Sequence, residues 1–254
     1  MPPPQTKFID SIVDAARQDE RVRAIGLFGS HVSGEADEWS DVDLVVVVER
    51  EDALSTHEEQ QRFAAAIDGY LVGWSQDYLP VEMWMLLYAP GLHVELKFVH
   101  WEKIPTLPHG LEIVWSRAPV DPTLKPEAPR WQQPDVQDLE DQVWIAMNYL
   151  RRKVGRGEYF EAASSLDFVR RKVLLPLLGA RHQTHLAGYR RLEEQGWCEV
   201  DRLALTFAGP QPQDIERAMS VTVELYLELR ESVAPPGLIR RVDAQRTATS
   251  DLKT

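Results

Sequence analysis

Cysteine is nearly absent from the 254-residue chain. Cys198 is the single one, so no internal disulfide can form and no thiolate cluster can hold a structural zinc ion. Long hydrophobic runs are missing too: the stretch at 45–48 is among the longest, far short of the ~20 apolar residues that span a bilayer. The opening Met1-Pro2-Pro3-Pro4-Gln5 has neither the basic start nor the apolar segment of a secretion signal. These absences predict a cytoplasmic protein with no membrane partner. Positive charge is also scarce, with 28 Lys and Arg against 40 Asp and Glu, a net charge of −12. A surface of that sign repels phosphate backbones, so no nucleic-acid partner is expected and a cationic small molecule suits it better.

Hydrophobic residues make up 44% of the chain and charged residues 27%, enough to build a core in one large domain or two modest ones. Phe8, Ile9, Ile12, Val13 and Ala16 recur at helical spacing and predict an opening amphipathic helix. Residues 22–28 and 41–48 read as strands, the second apolar enough to be buried on both faces. A helix is predicted over 56–71, capped by Ser55 or Thr56, with Phe63, Ala64, Ile67 and Leu71 as its apolar stripe. Strands at 81–88 and 92–99 flank Ala89-Pro90-Gly91, the pattern of a hairpin, and 111–115 reads as a further strand on an edge.

Five prolines between 118 and 134 exclude a helix or central strand there, so an extended linker is expected. Helical periodicity resumes over 136–154, 159–178, 182–195 and 212–233, with Gly155-Arg156-Gly157 as a break between the first two. The predicted organisation is an α+β domain with a small mixed sheet and flanking helices over 1–117, the linker over 118–134, an all-helical bundle domain over 135–242 and a flexible tail over 243–254.

The chemistry-bearing segment runs Gly26-Leu27-Phe28-Gly29-Ser30-His31-Val32-Ser33-Gly34, then Ser40-Asp41-Val42-Asp43-Leu44. A strand that ends in Gly29-Ser30 and turns exposes backbone N–H groups and a hydroxyl suited to triphosphate oxygens. Asp41 and Asp43 alternate along a strand and so face the same way. Two carboxylates beside a phosphate-holding turn suit a hard divalent cation such as Mg²⁺. In His93-Val94-Glu95-Leu96-Lys97-Phe98, Glu95 and Lys97 share a polar face, so Glu95 completes a carboxylate triad if this strand neighbours that of Asp41.

The Gly29-Ser30 and Ser40-Asp41-Val42-Asp43 combination resembles the signature of the DNA polymerase β-like nucleotidyltransferase superfamily. The helical second half is similar to the antibiotic nucleotidyltransferases acting on lincosamides and aminoglycosides. The resemblance implies Mg²⁺, two ions with nucleotide bound, held by Asp41 and Asp43. It also implies phosphates held by Gly29 and Ser30, Ser40 steadying the loop or a phosphate, and Glu95 as general base or third metal ligand. Some kanamycin-type members carry a catalytic glutamate in the first helix of the second domain, but 143–150 contains no acid here, which places that weight on Glu95.

The expected activity is transfer of a nucleoside monophosphate, AMP from ATP, to a hydroxyl of a small cationic acceptor, an aminoglycoside or lincosamide, in a chain that could pair as a homodimer. The alternatives are a member that modifies a protein partner, as antitoxin-type enzymes do, and a non-catalytic nucleotide-binding module. Lys97 and the Arg151-Arg152-Lys153 cluster, Lys153 foremost, are candidates to neutralise the triphosphate, although cations at a helix C-terminus also serve its dipole. Of the eight tryptophans, Trp39 alone borders the motif and is a candidate for substrate stacking. His182 and His185 lack any ligand pattern and read as structural or solvent-facing.

Overall fold

In the computed structural model, which describes residues 3–76, 83–106, 110–119 and 132–250, the chain divides into two compact units, Met1–Pro129 and Arg130–Thr254. Most of the expected linker at 118–134 lies outside the described residues.

The first unit is organised around β2 (Val42–Val48), whose seven residues are all buried. The elements before it are α1 (Pro3–Gln18), β1 (Val22–Phe28) and the single-turn α2 (Ser30–Ser33); α3 (His57–Ala65), β3 (Tyr70–Gln76), β4 (Met83–Tyr88), β5 (Leu92–His100) and β6 (Glu112–Ser116) follow it. The sheet order is β3-β4-β5-β2-β1-β6. Neighbours run antiparallel except β2 and β5, which are parallel and in register from Val42↔Val94 to Val48↔His100. Side-chain alternation then separates the two faces. Val42, Leu44, Val46, Val94 and Leu96 pack under α1 and α3 with Phe8, Ile12, Phe63 and Ala64. Val45 and Val47 pack on the other face with Ala24, Phe28, Val99 and Ile104.

The helix expected over 56–71 is shorter than its apolar stripe suggests. It ends at Ala65; Gly69, at φ +84°, turns the chain, and Leu71 lies in the edge strand β3 with its side chain exposed. Its start is set by Thr56, whose Oγ1 accepts from Glu59 N at 3.3 Å while the Glu59 carboxylate accepts from Thr56 N at 3.3 Å, the reciprocal pairing that satisfies two otherwise orphaned donors. Thr56→Ala is expected to destabilise the protein by about 1 kcal/mol, read as a fall of roughly 2–4 °C in melting temperature. The expected hairpin appears as β4 and β5, joined through a turn in which Gly91 N donates to Tyr88 O at 2.8 Å; residues 81–82 lie outside the described ones.

The second unit comprises α4 (Val136–Gly155), α5 (Tyr159–Val169), α6 (Leu175–His182), α7 (Cys198–Ala204), α8 (Pro212–Val233) and α9 (Val242–Thr249). A single wider π-type turn, Arg170–Leu174, carries α5 into α6. Two sequence expectations are corrected here. No helix spans 182–195: Gln183 takes a left-handed conformation at φ 51°, and turns lead to a short 3₁₀ segment, Glu193–Gln195, before α7. The tail expected from 243 onward is helical through Thr249, with Ala248 buried and Arg151 Nη1 donating to Ser250 Oγ at 3.0 Å; residues 251–254 lie outside the described ones.

Trp144, Met147, Leu150, Leu166, Leu178 and Tyr226 centre the core of this unit. Among them lies the fully buried Glu140. It accepts from Trp144 Nε1 at 2.9 Å, Arg230 Nη1 at 3.0 Å and Arg241 N at 2.8 Å, and from the Tyr226 hydroxyl. Burial pushes its pKa up, and these four donors outweigh that and hold the carboxyl below its ordinary value. No helix among the described residues is long and apolar enough to cross a membrane.

Candidate active site

The parallel register of β2 and β5 sets Asp43 directly opposite Glu95. Both project from the face that α1 and α3 leave open, because their neighbours Val42, Leu44, Val94 and Leu96 fill the helix-covered one. Asp41, one residue ahead of β2, joins them: a carboxylate oxygen from each of Asp41, Asp43 and Glu95 lies within 4.8 Å of the others. Among the described residues this is the one cluster of three or more acids, histidines or cysteines close enough to share an ion.

Three acids so close together do not all ionise freely. Asp43, only 7% exposed, has its pKa pushed up to about 7, first by burial, then by the charges of Asp41 and Glu95 and by a hydrogen bond with Glu95; Lys97 pulls the other way. The all-oxygen donor set and its excess of negative charge fit a hard divalent cation such as Mg²⁺.

Gly29 makes the neighbouring turn. At φ +70° it occupies a region that L side chains avoid, and a Cβ added there would sit 2.1 Å from Asp43 Oδ2. The carboxylate and the turn can therefore approach only because no side chain separates them. Ser30 follows, and its buried hydroxyl has no hydrogen-bond partner, a departure from the usual pairing of buried polar groups.

The loop that leads into Asp41 is held from three sides. Ser40 Oγ accepts from Asp37 N at 2.9 Å and donates to Asp37 Oδ1 at 3.0 Å. Gln5 Nε2 of α1, buried, donates to Ser40 O at 3.2 Å. His31 Nε2 lies 2.9 Å from Asp41 O, and since a carbonyl can only accept, this nitrogen carries the proton. Ser40 thus holds the loop. Trp39 N donates to Asp37 Oδ1 at 2.9 Å, yet its indole is 86% exposed, a ring fixed at its backbone and bare at its face.

Lys97 stands opposite Val45, below Glu95 on the same face. It is 9% exposed, and its Nζ sits 4.4 Å from the centroid of the Phe28 ring. Burial lowers its pKa, against the pull of Glu95 and Asp43. Lys153 belongs to the second unit, where its Nζ donates to Glu158 Oε2 at 2.5 Å and lies 5.0 Å from the Tyr149 ring centroid; that ion pair accounts for it within its own unit.

Two contributions were not evident from the sequence. His31 carries no signal beyond its place after Ser30, and its hold on the Asp41 backbone emerges only when the loop folds back over ten residues. Gln5 lies in an unremarkable helix start, and its tie to the loop spans 35 residues.

Comparison with known proteins agrees with the motif. Residues 9–83 match the family model described as "Nucleotidyltransferase domain", a segment that holds Gly29, Ser30, Asp41 and Asp43 and ends before Glu95. The first unit thus carries a nucleotidyltransferase domain in an α+β fold. A solved structure, an aminoglycoside 6-adenyltransferase from Bacillus subtilis, superposes with a TM-score of 0.43 at 12% identity, covering 98% of this chain and 97% of the other, a likeness too loose to carry an argument about substrate. No curated protein matches the sequence.

Proposed function

We propose that the chain is a metal-dependent nucleotidyltransferase that moves a nucleoside monophosphate, AMP from ATP, onto a hydroxyl of a small cationic acceptor. The observation that carries this is the meeting of Asp41, Asp43 and Glu95 within 4.8 Å beside the Gly29 turn and the orphaned Ser30 hydroxyl. Asp41 and Asp43, with Glu95, would hold Mg²⁺, which when bound supplies Lewis-acid stabilisation of the charge that develops at phosphorus.

The residues of the chain do the positioning. Ser30 Oγ and the backbone N–H groups of the turn donate to the phosphate tail. Gln5, Ser40 and His31 fix the loop so that the Asp41 carboxylate keeps its place, which matters because misplacement by about 1 Å can cost ~10²-fold in rate. The acceptor oxygen forms a bond to the α-phosphorus, the bond from that phosphorus to the bridging oxygen breaks, and pyrophosphate leaves with the electron pair. Glu95 either takes the proton of the hydroxyl, a role worth about 10²–10⁴-fold, or completes the ligand set while solvent takes it.

The net charge of −12 favours a cationic acceptor through long-range attraction. Glu35, Asp37 and Glu38 flank the exposed Trp39 in the sequence, a run of charge that suits a protonated amine and repels a second phosphate. The test is pyrophosphate release from ATP, GTP, CTP and UTP with Mg²⁺ across aminoglycosides, lincosamides and acceptor-free controls. Acceptor-dependent release, greatest with ATP and abolished by EDTA, is expected. Release that ignores every acceptor, or none from any pair while the triphosphate still binds, contradicts the small-acceptor reading.

A further inference from the structure

Lys97 is an unusual neighbour for a carboxylate cluster. It is 9% exposed, yet it makes no salt bridge or hydrogen bond to any described residue; its close partner is the Phe28 ring, 4.4 Å from Nζ to centroid. A lysine present only to neutralise Asp43 or Glu95 would close onto one of them, since a buried ammonium without a partner is costly. Phe28 holds it back instead: the ring face attracts the ammonium, an interaction that strengthens as water is excluded. Phe28 ends β1 immediately before Gly29, while Lys97 lies on β5, one alternation below Glu95. The end of β1 and the middle of β5, which contribute Gly29 and Glu95 to the site, therefore also fix this charge beneath it.

With all groups ionised the floor of the site carries three carboxylates and one ammonium, a formal −3 + 1 = −2. A free divalent cation is attracted by the carboxylates and repelled by the ammonium behind them, and at an effective dielectric of about 20 a unit charge several ångströms away still acts strongly on an ion of charge two. A metal that arrives with a triphosphate brings its own negative charge, which the ammonium attracts. We propose that Lys97 is the resident counter-cation of the carboxylate triad, weakening its grip on free divalent ions so that the metal enters with the nucleotide rather than ahead of it. This rests on the metal-dependent reading above and assigns to that site an order of loading.

Mn²⁺ is the probe, its binding measured by electron paramagnetic resonance and calorimetry, alone and with the non-reacting analogue α,β-methylene-ATP. Lys97→Met keeps length and removes charge; it is expected to bind Mn²⁺ alone about 10–100-fold more tightly than the wild type, with a smaller further gain from the analogue. Phe28→Leu removes the ring that restrains the ammonium and is expected to move the other way, weakening Mn²⁺ alone, so it decides the question should Lys97→Met fail to fold. Mn²⁺ affinity equal to wild type in Lys97→Met, or weaker, overturns the inference while leaving the metal-dependent activity standing. An absence of Mn²⁺ binding in wild type and variants, with and without nucleotide, overturns both.

Discussion

Asp43→Asn is expected to lower kcat/KM for nucleotidyl transfer by at least ~10³-fold, about 4 kcal/mol of lost transition-state stabilisation, and to raise the melting temperature of the metal-free protein at neutral pH. The two effects share one cause. Asp43 is buried against Asp41 and Glu95, and its pKa is pushed up from 3.8 to about 7. A carboxyl whose pKa is raised by folding contributes its stability while both states are protonated, below about pH 4, and loses it as pH climbs through the folded value. At neutral pH the wild type therefore carries a penalty that an amide, nearly isosteric and uncharged, does not.

The melting advantage of Asp43→Asn, measured with EDTA, should be near zero at about pH 4 and grow toward about pH 7. Added Mg²⁺ should stabilise the wild type and leave the variant unmoved. An active variant would show that Asp43 is not needed to hold the metal, and one that melts below the wild type at neutral pH would show that the cluster is not under this strain. Sites that bind charge commonly trade stability for function in this way.

Gly29→Ala is expected to cost about 10²-fold in activity and roughly 1–2 kcal/mol in stability. The added methyl would lie 2.1 Å from Asp43 Oδ2 and 2.9 Å from its carboxyl carbon, so the acid must move away from its partners. Gly34 supplies the control. Its φ is +80° with ψ 12°, a left-handed conformation that strains a side chain less than the φ +70°, ψ −146° of Gly29, and a Cβ there meets nothing within 4 Å. Gly34→Ala should show the backbone strain in its melting temperature and retain most of its turnover. Equal loss of activity in both variants would mean that strain, not collision with Asp43, is what matters at Gly29.

The strands of the first unit other than β3 were legible because each carries a local signature. β1 coincides with the reading at 22–28, and β2 differs from it by one residue. The triad was legible as a conditional statement: Glu95 joins the aspartates if β5 neighbours β2, a pairing that periodicity cannot supply. β3 was missed since Leu71 and Val72 face solvent on an edge strand, so no alternation marks it and Leu71 instead extended the apparent stripe of α3. In the second unit, α8 coincides with the reading at 212–233. The supposed helix at 182–195 failed where Gln183 took a left-handed conformation that few side chains announce. The burial of Lys97 was equally hidden, because the alternation that puts it beside Glu95 does not say how deep that face lies.

The parallel pairing of β2 with β5 also governs how the polypeptide matures on the ribosome. β1 and β2 can zip together as soon as both have emerged, the short separation making closure fast. The opposite edge of β2, with Leu44, Val45, Val46, Val47 and Val48 in sequence, has its partner only after His100 is synthesised. Until then the nascent chain displays an unpaired, valine-rich, uncharged ribbon, the kind of edge that recruits other ribbons. Truncations that stop short of β5, including one that ends with the matched segment at 83, leave that edge permanently open and are expected to collect as insoluble material.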